Sequence, residues 1–168
     1  MTASKSDGVQ ATLGAIQQAL GTPAVPGFFQ ALAEAPSVLS GVWLAVEQIL
    51  MSGVLPRRTK EAAIFAISAA RGCDYCMLAH RGICLALGWT QDDIEQLEGK
   101  DRACVRYAVR AALRPQEIRA EHRQALRDAG VSTQEELELN AVAGLALLLN
   151  VMADAGGVPL EPGMGEAS

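Results

Sequence analysis

Aromatic residues are scarce in this chain, 4 % of 168, and there are two histidines. Basic charge is also short: 14 Lys and Arg stand against 19 Asp and Glu, a formal net charge of −5. A nucleic-acid binder needs a basic footprint, so no nucleic-acid partner is expected. Long apolar runs are missing. The most apolar stretch, residues 141–153 (AVAGLALLLNVMA), is too short to cross a bilayer and carries Asn150, so it predicts a buried helix and no membrane partner. The first ten residues, MTASKSDGVQ, are polar, and no apolar segment of the secretory kind follows them. These absences predict a soluble, cytoplasmic protein. No internal repeat, low-complexity tract or alternating strand pattern stands out, which leaves helix as the organising element.

Half the residues are apolar, with Ala and Leu dominant, and 168 residues suffice for one domain with a substantial core. The expectation is therefore an all-α single domain over 1–168. Helical periodicity and punctuation by Gly and Pro divide it. Helices are predicted over 9–20, 28–35, a long one capped by Ser37, 57–71, 73–87, a short one capped by Thr90, 101–113 and 116–128. Ser132 or Thr133 then caps a terminal helix to about residue 153. Val38, Val42, Ala45, Ile49 and Leu50 form the expected apolar stripe of the Ser37 helix, and Gly72 the left-handed residue before the 73–87 helix. Residues 155–168 read as a flexible tail.

Chemistry concentrates in residues 71–80, RGCDYCMLAH. At about 100° per residue, Cys73, Cys76, His80 and Cys84 share one helix face. Cys76 and His80 are one turn apart, predicting a direct or one-water hydrogen bond. The helix N-terminus favours thiolate, and His80 offers a base for the Cys76 proton. A zinc site is disfavoured, because Cys73 and Cys84 would lie about 16 Å apart along the axis, and Cys104 stands alone. A structural disulfide would close too short a loop to matter, and simple core packing leaves the histidine unexplained. A redox-active thiol pair is the reading of greatest weight.

The run Glu61-x11-Cys73-x2-Cys76-x3-His80, set within KEAAIFAISAARGCDYCMLAHRGICLALGW, closely resembles the core motif of the AhpD-like alkylhydroperoxidases of the carboxymuconolactone decarboxylase-like superfamily. The likeness is specific over about 37–113, with its core at 56–90. It implies an AhpD-like helical bundle with the Cys-x-x-Cys at the start of a central helix, and a thiol peroxidase or disulfide reductase. It further implies Cys76 as the attacking sulfur, Cys73 as its resolving partner, and Glu61 acting through His80, often with a water, as a proton relay. An external dithiol or lipoyl-type reductant would serve in place of a bound cofactor or metal. The substrate would be a small hydroperoxide, and the assembly a trimer or multiple of trimers. Helix geometry leaves a gap between Glu61 and His80 that a long carboxylate or a water can bridge. The slot after Asp74, a second His in the best-known AhpD enzymes, is Tyr75 here, a poor base near neutral pH.

Two other functions compete. A decarboxylase-like lyase of the same superfamily would not need the cysteine pair, and a redox-sensing oligomer would oxidise once without turnover. Arg102, Arg106, Arg110 and Arg114 form one basic stripe and Arg119, Arg123 and Arg127 another, both read as solvated faces, with His122 at the surface. Trp43 and Trp89 are expected as core or interface anchors, Asn150 needs a hydrogen-bond partner, and Cys84 is open between packing and side chemistry.

Overall fold

The computed structural model describes residues 5–164, and within them every regular element is helical. The α-helices are α1 (Lys5–Leu20), α2 (Gly27–Leu32), α3 (Pro36–Ala45), α4 (Arg57–Arg71), α5 (Asp74–Ala86), α6 (Gln91–Glu95), α7 (Gly99–Leu113), α8 (Ala120–Asp128) and α9 (Thr133–Ala155). The all-α class is as expected. α4 is the hub: it packs against α5, α7 and α9, and α9 also packs on α7. α9 is long and apolar enough to cross a membrane by length alone, but half of its most apolar stretch is buried inside the fold. It is a core helix, with Leu139, Val142, Ala146 and Leu149 turned inward.

Several boundaries follow local chemistry. Thr90 and Ser132 cap α6 and α9 through reciprocal bonds with Asp93 and Glu135. Ser37 does not cap α3. Ala35 takes that place because Pro36, with no N–H and a preset φ, fits the first helical position. The helix then loosens into a π turn, Val46–Leu50, closed by Met51 N–H to the Val46 carbonyl (3.2 Å). The buried stripe is Leu39, Val42, Trp43, Val46 and Leu50, while Val38 is exposed and Ala45 and Ile49 are half-buried. Val42 and Leu50 of the expected stripe are buried, while Leu39, Trp43 and Val46 take the inward places of Val38, Ala45 and Ile49, with Trp43 stacked edge-on against Phe29 (5.7 Å).

The turn into α4 is built from buried charge. Lys60 is 1 % exposed, yet its ammonium donates to the carbonyls of Ile49 (3.0 Å) and Ser52 and pairs with Glu138 (2.8 Å). Glu138 in turn accepts the Val54 and Leu55 N–H groups at 2.8 and 3.0 Å. Gly53 is required there: its φ is 98°, and a Cβ would lie 2.5–2.6 Å from the Glu138 carboxylate.

α4 and α5 form the antiparallel pair that carries the motif. Gly72 adopts φ 73°, its N–H bonding the Ala69 carbonyl (3.2 Å), and Cys73 N–H bonds the Ser68 carbonyl (3.0 Å). This 5→2 and 6→1 pairing is a Schellman closure. Cys73 is thus both the residue that ends α4 and the extended N-cap of α5. The expected flexible tail is partly corrected. Residues 156–164 fold back onto the bundle, where Glu161 accepts from Gly27 N–H (2.8 Å) and from the Tyr75 hydroxyl (2.5 Å). Residues 165–168 of that expectation lie outside the described residues.

Candidate active site

α4 presents Glu61 and α5 presents His80 across their shared interface. The two meet directly, His80 Nδ1 to Glu61 Oε2 at 2.6 Å, with the glutamate fully buried. The gap that helix arithmetic left open is closed without a bridging water, because the Schellman turn folds the helices tightly back. Glu61's other oxygen accepts from Arg57 Nε at 3.1 Å, one turn earlier on α4. Burial by itself would raise the Glu61 carboxyl. The hydrogen bond and charge of His80, with the Arg57 guanidinium, outweigh it and hold the group below its ordinary value. An ionised carboxylate can only accept, so Nδ1 of His80 is the donor and Nε2 is the proton-accepting atom.

All four cysteines carry free thiols and are buried. Cys73 and Cys76 lie together at the start of α5, and no hydrogen bond joins Cys76 to His80. Burial pushes the Cys76 thiol above its ordinary value, and the neighbouring Cys73 and Asn150 side chains, which favour the thiolate, only partly offset it. Burial likewise raises Cys73, reinforced by its contact with Asp154. The expectation that the helix terminus would favour thiolate is overturned on magnitude. A helix end contributes about 0.3–1 kcal/mol, less than one pKa unit, whereas burial moves groups by up to about 3–5 units. The rate of iodoacetamide alkylation at Cys76 should therefore keep rising past pH 9.0, the ordinary thiol value. A plateau at or below about pH 8 would contradict this. Cys84 and Cys104 are pushed up to about 12 and about 11 by burial. Since folded values lie above unfolded ones, the stability these four thiols contribute is complete below about pH 9 and is lost as pH climbs through the raised values.

Cys76 and His80 share a cavity of about 100 Å³ whose walls include Phe28, Phe29, Leu50 and Leu149. It is large enough for a water or the O–O group of a small peroxide to bridge thiol and imidazole. Tyr75 also borders it, but the phenol is fully committed elsewhere. It donates to Glu161 and accepts from Phe28 N–H (3.1 Å). Burial pushes that phenol up as well, with Glu161 adding to the shift.

Residue spacing singled out Cys73, Cys76 and His80, the family resemblance added Glu61, and the fold brings the four close together. The residue pattern missed Arg57, although an Arg four residues before a Glu on one helix is a legible pairing signal. It singled out Asn150 without placing it. Asn150 is fully buried, donates to Ser68 Oγ (2.8 Å) and stands beside Cys76, with Asp154 one turn further along α9 near Cys73. Cys84 is buried on α5 within the field of Glu61. Trp43 and Trp89 are core residues, and Arg58 sits 5.9 Å from the Trp89 ring centre.

Residues 36–114, which hold all four motif positions, match the Carboxymuconolactone decarboxylase family model. Among solved structures, the alkylhydroperoxidase AhpD core protein of Ralstonia eutropha JMP134, described as an uncharacterized peroxidase-related protein, is 22 % identical with a TM-score of 0.84, over 93 % of this chain and 86 % of that one. A peroxidase-related protein from Silicibacter sp. TM1040 reaches a TM-score of 0.86 at 19 % identity, covering 98 % and 91 %. The debrominase Bmp8, in a cysteine-to-alanine variant with 2,3,4-tribromopyrrole, gives 0.79 at 18 % identity, covering 96 % and 90 %. At such identities the likeness is one of fold. No curated protein matches the chain. The motif segment thus matches the carboxymuconolactone decarboxylase family, and the chain as a whole shares the helical fold of the AhpD core and peroxidase-related proteins.

Proposed function

We propose that this protein is a thiol-dependent peroxidase that reduces small hydroperoxides through a Cys73–Cys76 dithiol/disulfide cycle. The observation that carries the reading is the buried Glu61–His80 pair at 2.6 Å, facing the same small cavity as Cys76. In the resting state Cys76 is a thiol. Through a bridging water or the hydroperoxide itself, Cys76 passes its thiol proton to His80 Nε2, whose positive charge the Glu61 carboxylate balances. The Cys76 sulfur attacks the distal peroxide oxygen and the O–O bond breaks. The imidazolium proton leaves with the alkoxide as an alcohol, and Cys76 becomes a sulfenic acid. Cys73 sulfur then displaces hydroxide from that acid, forming the disulfide and one water. An external dithiol, free or lipoyl-borne, returns both cysteines to thiols as it becomes a disulfide itself. Asn150 donates a hydrogen bond to the sulfur as charge grows there, and Asp154 relays the Cys73 proton to the departing hydroxide, completing the water.

This reading carries with it a reducing, cytoplasmic setting and assembly in trimers or multiples of them. Its test is to treat the reduced protein with a small excess of an organic hydroperoxide and map the products by mass spectrometry. A Cys73–Cys76 bond is expected, and Cys73→Ser should accumulate sulfenic acid at Cys76. Oxidation confined to Cys104 would refute the site. The lyase alternative keeps Glu61 and His80 but needs no sulfur, so loss of activity in Cys76→Ser separates the two. Sustained peroxide consumption with dithiol, against one stoichiometric oxidation, separates an enzyme from a sensor.

A further inference from the structure

The two cysteines of the cycle are out of reach. Cys73 is 0 % and Cys76 3 % exposed, and the cavity beside Cys76 holds about 100 Å³. A dithiol cannot bring its own sulfur onto sulfurs so covered, whereas a hydroperoxide need place only its terminal oxygen at Cys76. Thiol–disulfide exchange requires the attacking sulfur to touch a disulfide sulfur. Reduction therefore demands that a wall move.

The cavity wall contributed by Leu20, Pro26, Phe28 and Phe29 comes from the end of α1, the connector after it and the start of α2. One carboxylate ties this wall down. Glu161, on the chain that folds back after α9, accepts Gly27 N–H at 2.8 Å and the Tyr75 hydroxyl at 2.5 Å. The same hydroxyl accepts Phe28 N–H at 3.1 Å, and the Tyr75 ring stacks on Phe28 with centroids 6.3 Å apart. Two segments far apart in sequence thus converge on Tyr75, which lies between the two cysteines. α5 packs on α4 and α9, whereas the α2 wall rests on the Phe29–Trp43 and Phe28–Tyr75 ring contacts and is tied to the 156–164 strap through the Glu161 bonds.

Taking the dithiol cycle above as given, we propose that Glu161, Tyr75 and the Gly27–Phe28 backbone form a latch that admits small uncharged oxidants when closed and the bulkier dithiol reductant only when open. Tyr75 is then a gate post. Its phenol has both hydrogen-bonding roles filled by the latch, which is why it is not a proton donor to Cys76. Release is local, because Glu161 and the strap can swing away without disturbing the Glu61–His80 pair. Opening exposes the Cys73–Cys76 bond at the start of α5 to a dithiol.

The experiment compares two alkylating reagents on the reduced, full-length protein, iodoacetamide and a bulky polyethylene-glycol maleimide, with Cys76 labelling followed by peptide mapping. In the native protein the bulky reagent should lag far behind the small one. Glu161→Ala removes charge-assisted bonds, each worth about tenfold in a closed-to-open ratio. The bulky-to-small rate ratio should then rise at least tenfold while the melting temperature stays near native. Tyr75→Phe should move the ratio the same way, and it serves alone should Glu161→Ala not fold. Reduction of the preformed disulfide by dithiothreitol should speed up in parallel, with little change in oxidation by hydrogen peroxide. An unchanged ratio in the folded variants overturns the latch, as does a rise for both reagents in step with falling melting temperature. Absence of peroxide consumption in the native protein, with the ratio still rising, would instead remove the peroxidase reading and leave the gate standing.

Discussion

Glu61→Gln is expected to slow oxidation of Cys76 by a small hydroperoxide by about 10²–10⁴-fold, the usual worth of a positioned acid–base group. The substitution keeps shape and one acceptor. The amide oxygen can still hold His80 Nδ1–H and orient the ring, so the cavity should survive. What is removed is the charge that balances an imidazolium once Nε2 has taken a proton. In a fully buried site that charge is little screened. Stopped-flow peroxide consumption measures the effect, and a rate within about threefold of native would sink the relay. A second readout separates electrostatics from packing. The Glu61 carboxyl lies below its ordinary 4.5, despite burial, because of His80 and Arg57. A depressed folded value means its stabilisation is complete above about pH 4.5 and disappears as pH falls through the lower folded value. Urea midpoints between about pH 2.5 and 6 should therefore fall less steeply with acid in Glu61→Gln than in the native chain.

Lys60→Met should be the most damaging single change to stability, costing about 3–5 kcal/mol. The methionine fills the same apolar channel but abandons the carbonyls of Ile49 and Ser52 and leaves Glu138 without its counter-charge. Those acceptors close the turn that starts α4, so the position of Arg57 and Glu61 should loosen with it. For a chain of this length the cost corresponds to a melting temperature lower by about 6–20 °C, measured by circular dichroism. A double-mutant cycle with Glu138→Gln should return a coupling of at least about 1 kcal/mol, since the two side chains touch at 2.8 Å. A shift under about 3 °C would show that the buried ammonium is replaceable by apolar packing.

How far residue order foretells structure here depends on the range of the forces involved. Gly72 after a helical run, Thr90 ahead of two acids and Ser132 three residues before Glu135 are local signals, and each ends or begins a helix where expected. Glu61 and His80 were expected to approach, and they touch, since two helices joined by a tight closure have little freedom in how their facing residues meet. The expectation for Cys76 and His80 failed for the opposite reason. Helix spacing put them on one face, but the ring turns to Glu61 on α4, and the sulfur's neighbours are Cys73 at the start of its own helix and Asn150 on α9. Of the expected stripe on α3 and the turn after it, Val42 and Leu50 are buried, whereas Leu39, Trp43 and Val46 replace Val38, Ala45 and Ile49, Trp43 being drawn inward against Phe29.

Residue order alone determined which groups are available: a thiol pair at a helix start, a histidine one turn later, and a glutamate on the preceding helix. Those are consequences of short-range geometry, and short-range geometry is written in spacing. Only the tertiary structure decided the protonation state of the sulfur, the ion pair behind the imidazole and the strap across the cavity. Each depends on burial or on contacts spanning many residues, Glu61 to His80 across 19 and Gly27 to Glu161 across 134. No local pattern encodes the dielectric or the partner that folding brings from the far end of the chain.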